Sequence, residues 1–327
     1  MKKVLFVLCS SIFAFVGCDL FTGPAGPAGP SGPAGSDLRS TPLLFVPATN
    51  LAEALAYSNS TIVTTGYYGS IFTSTDGVSW TDESIDSGTL SWVAYGGGRF
   101  VAASDSQIFV STDEGESWAE TLDYGSFNAQ NGNLITGLAS GAGSFVAVGL
   151  TSFASNFGFI MRSDNGESWT DVTPSTTPNQ FTSVSYANGQ FIAATNTGYL
   201  YRSSDGGLTW SGPDVIPQYS DTVRKIAYGN GRYLILGQHS ILTSTDFSSF
   251  NTLYDGNVSF TSIAFNGSLF VILCSDSNNF WSLWYTDGTV FYWPSGLLPP
   301  PENGYTDIQW VPWLNGGTHV ISQMQAL

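Results

Sequence analysis

Ser203-Ser204-Asp205-Gly206-Gly207-Leu208-Thr209-Trp210 decides the fold, because the chain keeps returning to it. Ser111 to Trp118 (STDEGESW) has the same form, S-x-D-x-G-x-S/T-W, and Arg162 to Trp169 (RSDNGESW) changes only the first position. Ser74 to Trp80 (STDGVSW) is one residue short, and Ser244 to Phe250 (STDFSSF) replaces the last aromatic and the glycine. Thr286-Asp287-Gly288 keeps the turn alone. The aspartates fall at 76, 113, 164, 205, 246 and 287, so the last three intervals are each 41 residues. A fixed period in this range marks a solenoid or a propeller.

Phe181 to Trp210 shows what one unit contains. Phe181 to Tyr186 reads as a strand, and Ala187-Asn188-Gly189-Gln190 as a hairpin turn, since Asn-Gly tolerates the positive φ that tight hairpins need. Phe191 to Thr195 forms a second strand, Tyr199 to Ser203 a third, and a fourth begins at Thr209. The turn recurs at Gly96 to Arg99, Gly229 to Arg232 and Asn266-Gly267. Second strands such as Phe100-Val101-Ala102-Ala103 are apolar on both faces, as a sheet packed between two others requires. Four strands at this period predict an all-β fold, a β-propeller of four-stranded blades. First strands near Ala54, Val93, Leu138, Val184, Ile226, Ile263 and Ile308 make seven blades, with six and eight as the alternatives. The seventh unit runs out of chain, and a ring leaves no raw edge. An N-terminal strand, Leu43 to Val46, is therefore expected to close it.

The octet resembles the Asp box of the sialidase-like (BNR) propellers, a family that includes sortilin-type, xyloglucanase-type and photosystem-assembly-factor members. The resemblance covers roughly 50 to 327 and implies that each box is the turn between the third and fourth strands of a blade. The chemistry agrees, since a carboxylate accepts N–H groups of its own turn and Trp packs beneath it. Calcium wants six to eight oxygens and each box offers one carboxylate, so no metal is expected. Asp76, Trp80, Asp113, Trp118, Asp164, Trp169, Asp205, Trp210, Asp246 and Phe250 are read as structural.

Upstream, residues 1–17 read as a signal peptide: Lys2-Lys3, then an apolar run from Val4 to Val16 too short to span a bilayer. Phe15-Val16-Gly17-Cys18 resembles a bacterial lipobox, which implies lipidation of Cys18 and an extracytoplasmic protein held at the cell envelope by its lipid alone. In 18–40, GPAGPAGPSGPA (Gly23 to Ala34) has the collagen register, but four triplets are too few for a stable triple helix. A semi-rigid polyproline-II spacer is expected, with trimerisation as the weaker alternative. The propeller then occupies 41–327. Cys274 follows Phe270 to Leu273 and reads as a small buried hydrophobe.

Twenty-five acidic against nine basic residues give a net charge of −16. That field repels nucleic acid and anionic lipid surfaces. A sialidase needs an arginine triad. Arg99, Arg162, Arg202 and Arg232 read as box-side residues, which leaves Arg224 alone to approach the channel. A paired-carboxylate glycosidase needs two carboxylates across a cleft. Asp105, Asp123 and Asp276 are candidates that nothing in the sequence pairs, and His239 and His319 lack metal-ligand spacing. No catalytic residue and no cofactor is assigned.

Function is expected on the face carrying second-to-third loops and the links between blades. Ala119 to Leu134 and Gly149 to Phe159 read as neighbouring insertions there, and Ser277 to Trp293 as a second rich area. Tyr124, Phe127, Asn128, Phe157, Trp281 (read as a loop residue) and Trp293 are the candidate ligand contacts, since exposed aromatics beside amides stack on sugar rings and hydrogen-bond hydroxyls. The expected function is a non-enzymatic binding or scaffold module for a glycan or protein ligand. The alternative is a sialidase- or xyloglucanase-like glycoside hydrolase.

Overall fold

The computed structural model describes residues 43–47, 52–123, 134–151, 157–175, 179–217, 221–292, 298, 305–314 and 317–323. The chain divides into two units, Met1–Ser40 and Thr41–Leu327, and the first lies outside the described residues. The second is a seven-bladed β-propeller. Blade 1 holds Ala52–Tyr57, Ile62–Gly66, Ile71–Ser74 and Thr81–Asp82, paired antiparallel in that order. Blade 2 runs from Leu90–Gly96 to Ala119–Asp123, blade 3 from Leu134–Gly141 to Thr170–Asp171, and blade 4 from Phe181–Ala187 to Ser211–Val215. Blade 5 runs from Val223–Gly229 to Asn251–Asp255 and blade 6 from Ser259–Phe265 to Phe291–Tyr292. Among the described residues no helix is long and apolar enough to cross a membrane.

Blade 7 is closed from the other end of the unit. Tyr305–Val311 pairs with Thr318–Gln323, and Leu43–Phe45 adds a third strand with Leu43 opposite His319 and Phe45 opposite Ile321. This closing strand runs parallel to its neighbour, unlike every pairing in the other blades. The reason is connectivity. Only residues 46–51 separate it from the first strand of blade 1, which starts on the loop face, so the closing strand must end on that face too. The blade has three strands among the described residues rather than the four the repeat predicts.

The second strands explain the apolar runs. All seven residues of Ser144–Leu150 and all six of Phe270–Ser275 are buried, whereas the fourth strands lie at the exposed rim. Core clusters are built from neighbouring pairs of blades: Val101 and Ala103 of blade 2 with Leu138 and Phe145 of blade 3, Val146 and Ile160 of blade 3 with Phe191 of blade 4. Burying one such Val, Ile or Phe stabilises by roughly 1.5–3 kcal/mol. At the hairpins, Asn188 and Gly189 both have positive φ (51° and 77°), the geometry of a type I′ turn.

The boxes do lie between third and fourth strands, and their carboxylates serve their own turns. Asp76 Oδ1 accepts the Val78 and Ser79 amides at 2.8 and 2.7 Å. Asp113 accepts the Ser117 amide, Asp246 the Ser248 amide, and Asp205 both the amide and the hydroxyl of Thr209. These donors hold the Asp205 carboxyl at about 2, led by the Thr209 hydroxyl. The indoles of Trp118, Trp169 and Trp210 donate to the carbonyls of Gly115, Gly166 and Gly207. Trp80 packs in the closing cluster, its indole N–H without a partner, and Phe250 packs against Phe247.

The third box corrects the sequence reading. Its turn acceptor is Asn165, whose Oδ1 takes the Glu167 and Ser168 amides at 2.9 and 3.1 Å. Asp164 sits one place earlier and is ion-paired to Arg162 at 2.5 Å. The box therefore starts at Ser163 and is one residue short, like Ser74 to Trp80. Matching aspartates by interval hid this, because an amide oxygen accepts turn hydrogen bonds as a carboxylate does.

Candidate functional site

Every first strand breaks register at the same place. The pairing slips between Ala52 and Ala54, Leu90 and Trp92, Ile135 and Gly137, Phe181 and Ser183, Val223 and Lys225, Phe260 and Ser262, and Tyr305 and Asp307. The residues left over are Glu53, Ser91, Thr136, Thr182, Arg224, Thr261 and Thr306. A bulge re-aims a side chain that a regular ladder would hold in the sheet. Here all seven line one cavity of about 820 Å³ at the loop-face mouth of the central channel. Leu55, Val93, Leu138 and Val184, with Lys225 and Gln309, border both this cavity and a smaller one of about 390 Å³ on the box side.

Three of the seven also tie the ring together. The hydroxyls of Thr136, Thr182 and Thr306 donate to the carbonyls of Phe181, Val223 and Ala52 in the next blade, at 2.9, 3.2 and 3.0 Å. The positions occupied by Glu53 and Arg224 depart from this short-hydroxyl rule and put charges there instead.

Four charged side chains line the mouth. Lys225 Nζ lies 3.0 Å from Asp307 Oδ1 and 3.0 Å from Ser262 Oγ, and Gln309 donates to Asp307 Oδ2 at 3.2 Å. Ser262 also donates to Asp307, so this network joins blades 5, 6 and 7. Glu53 accepts the Tyr67 phenol, and that bond, with burial, raises the phenol to about 12. Arg224 has an exposed side chain with no hydrogen bond or salt bridge among the described residues. Partial burial lowers its guanidinium from the ordinary value, and the Asp221 charge works against that. The Asp221 carboxylate is itself held by the amides of Thr222, His239 and Ser240 and the Ser240 hydroxyl.

The other arginines are seam clamps. Arg99 donates to the Asn165 carbonyl, Arg162 to the Gly206 carbonyl at 2.7 Å, and Arg232 to the Gly288 carbonyl, each reaching the turn box of the next blade. Arg202 pairs with Asp214 at 2.6 Å and lies over the Phe247 ring. Among the described residues, no three His, Cys, Asp or Glu side chains are grouped to hold a metal. Asp276 accepts the Asn278 and Phe280 amides, and His239 sits in the turn that Asp221 caps.

Of the sequence-predicted contacts, Tyr124, Phe127, Asn128, Trp293 and the lipidation residue Cys18 lie outside the described residues. Phe157 is 55% exposed and lies in the loop of the lengthened hairpin of blade 3, where Gly149 pairs with Phe159 and Leu150 with Gly158. The expected insertion there shrinks accordingly, because its ends are strand, and Ala119–Asp123 is likewise strand. Trp281 opens the third strand of blade 6 and is not a loop residue; it is 8% exposed, packs edge-on to Tyr305 at 5.5 Å, and lines the same mouth cavity. The exposed ring of that turn is Phe280, at 53%. Glu53 and the bulge hydroxyls escaped the sequence reading, yet they carry a signal. Ile135-Thr136-Gly137-Leu138, Phe181-Thr182-Ser183-Val184 and Phe260-Thr261-Ser262-Ile263 share a bulky apolar residue, a hydroxyl, a small residue and an aliphatic. Val223-Arg224-Lys225-Ile226 keeps the two apolar ends of that frame and replaces both the hydroxyl and the small residue with cations.

Comparison with known proteins agrees with the architecture. Residues 39–291 match the profile described as the DUF6242 beta propeller domain. No curated protein matches the chain. Among solved structures, YCF48 bound to D1 peptide is similar over 82% of this chain and 92% of its own, with 15% identity and a TM-score of 0.60. YCF48 from Cyanidioschyzon merolae is similar over 80% and 90%, with 16% identity and a TM-score of 0.59. A GH74 enzyme from Niastella koreensis is similar over 84% of this chain and 54% of its own, with 13% identity and a TM-score of 0.58. At such identities these likenesses establish the fold and nothing finer.

Proposed function

We propose that this chain, which belongs to the DUF6242 β-propeller family, is a non-catalytic binding module that takes a polypeptide segment at the loop-face mouth of its channel. The observation that carries the reading is the ring of bulges. A fold that needs only seam ties has placed seven polar side chains around one mouth, two of them charged and departing from the hydroxyl rule. The carboxylates of that mouth are engaged, Asp307 by Lys225, Ser262 and Gln309, and Glu53 by Tyr67. Such groups serve recognition better than proton transfer, for which a catalytic acid needs a free face toward its substrate. The YCF48 structure bound to a D1 peptide gives a precedent for a peptide on a propeller of this shape.

The same proposal places the protein at the bacterial envelope. Cys18 carries the lipid and the Gly-Pro-X stretch from Gly23 spaces the propeller from the membrane. Labelling with a fatty acid should mark the wild type and miss Cys18→Ala. For the binding reading, the full chain is titrated against immobilised peptides of varied sequence and screened for turnover of β-glucan and sialyl substrates. Peptide binding weakened by bulky substitution at Ser91 or Thr261 supports it. Robust turnover that Asp307→Asn or Glu53→Gln abolishes would replace it with the hydrolase alternative.

A further inference from the structure

Six cationic side chains lie in the propeller, and five are committed. Arg99, Arg162, Arg202 and Arg232 hold blade seams on the box side, and Lys225 is tied to Asp307. Among the described residues Arg224 alone makes neither a hydrogen bond nor a salt bridge, in a chain whose net charge is −16. It occupies the bulge of blade 5, and Glu53 occupies the bulge of blade 1. Counted around the ring, three seams separate them one way and four the other, so the two charges stand on opposite sides of the same mouth.

We infer that Arg224 and Glu53 form a two-point charge reader for a polypeptide segment of mixed charge, a carboxylate of the ligand at Arg224 and an ammonium or guanidinium at Glu53. This rests on the proposed polypeptide reading and specifies it. A guanidinium with no hydrogen-bond partner among the described residues matches a carboxylate in paired hydrogen bonds. Glu53 keeps acceptor capacity after receiving the single Tyr67 phenol. Opposite charges on opposite sides select a chain that carries both. A polypeptide does so along its length, whereas an acidic polysaccharide offers anions alone. The acidic body favours the approach of the basic end, and the open guanidinium fixes the register.

Fluorescence anisotropy of the full chain with synthetic peptides tests this. The probes are Gly/Ser-based peptides carrying one Glu and one Lys at graded separations, with Glu-only, Lys-only and uncharged versions, each with a free and an amidated C-terminus. An oligogalacturonide serves as the acidic glycan. The wild type should prefer a mixed-charge peptide at one spacing by about tenfold or more over the single-charge versions, the value of one charge-assisted contact. Arg224→Gln should erase the preference for the acidic group and Glu53→Gln that for the basic group. The double variant Glu53→Arg with Arg224→Glu should restore the preference that either reversal alone destroys. Arg224 has no hydrogen bond to lose among the described residues and Glu53→Gln keeps an acceptor for Tyr67, so both single variants retain the fold, checked by their melting temperatures. Loss on amidation assigns the carboxylate to a chain terminus, and loss on Glu-to-Gln change in the probe assigns it to a side chain. Peptides bound equally whatever their charge, unaffected by either variant, would overturn the charge reader while leaving polypeptide binding standing. Binding of the oligogalacturonide through Arg224 with no peptide bound would overturn both.

Discussion

Acidification should loosen this propeller through a single histidine before any box carboxylate titrates. His319 lies on the second strand of blade 7, opposite Leu43 of the closing strand, and is fully buried. Its ring packs on Trp310 at 4.7 Å and neither ring nitrogen has a hydrogen-bond partner. Burial pushes the imidazole down to about 4, from an ordinary value of 6.5. The folded protein therefore refuses a proton that the unfolded chain accepts. Stability from this group is in full force above pH 6.5 and erodes as the pH falls to about 4. At about 1.36 kcal/mol per unit, the cost over that window is about 3 kcal/mol. Asp205, held at about 2, is ionised in both states over most of the window and contributes at lower pH. Urea midpoints followed by tryptophan fluorescence at about pH 7 and pH 4.5 measure the effect in the wild type and in His319→Leu. The wild type should lose stability that the variant keeps. Parallel losses in both would refute the reasoning, whatever the absolute stabilities.

Other expectations follow from individual contacts. Asn165→Ala should destabilise by about 1–2 kcal/mol because it strands two turn amides, whereas Asp164→Ala removes an exposed carboxylate that caps no turn amide and should leave the denaturation midpoint nearly unchanged; chemical denaturation compares them. Trp210→Ala should cost about 3 kcal/mol for its ring in the blade 3–4 cluster, read by the same assay. Arg162→Ala should cost about 1.5 kcal/mol through the lost bond to the Gly206 carbonyl. Cys274 is fully buried and its thiol is pushed up to about 12, so a thiol reagent should label it in the unfolded chain and leave the native propeller untouched.

Much of the architecture was legible because it rests on local chemistry. Asn188-Gly189 and Asn230-Gly231 specify tight hairpins, the second strands are apolar throughout, and Ser203 to Trp210 carries its own turn acceptor and anchor. The ring closure at Leu43–Phe45 was legible from the need to cover an edge, but its parallel direction follows from the short connector to Ala52. Asp164 was misassigned because interval matching weighs residue type, whereas the turn weighs the position of an oxygen. The site was harder to read. Trp281 was read as a loop residue, yet it opens a third strand, packed on Tyr305 of the next blade, and lines the mouth from there. The residues that face the mouth sit in strands, where alternation alone would not place them. Bulges brought Glu53, Ser91 and Arg224 together from three separate blades, and a bulge is a long-range consequence of packing seven sheets around one axis.

Hydrogen exchange of the full chain, with and without a saturating mixed-charge peptide, tests the central claim most directly. The account predicts added protection at the bulged segments around Glu53, Ser91, Arg224 and Thr261, with the box turns at Asp113 and Asp205 unchanged. Protection confined to the box turns, or none at any first strand, would contradict it.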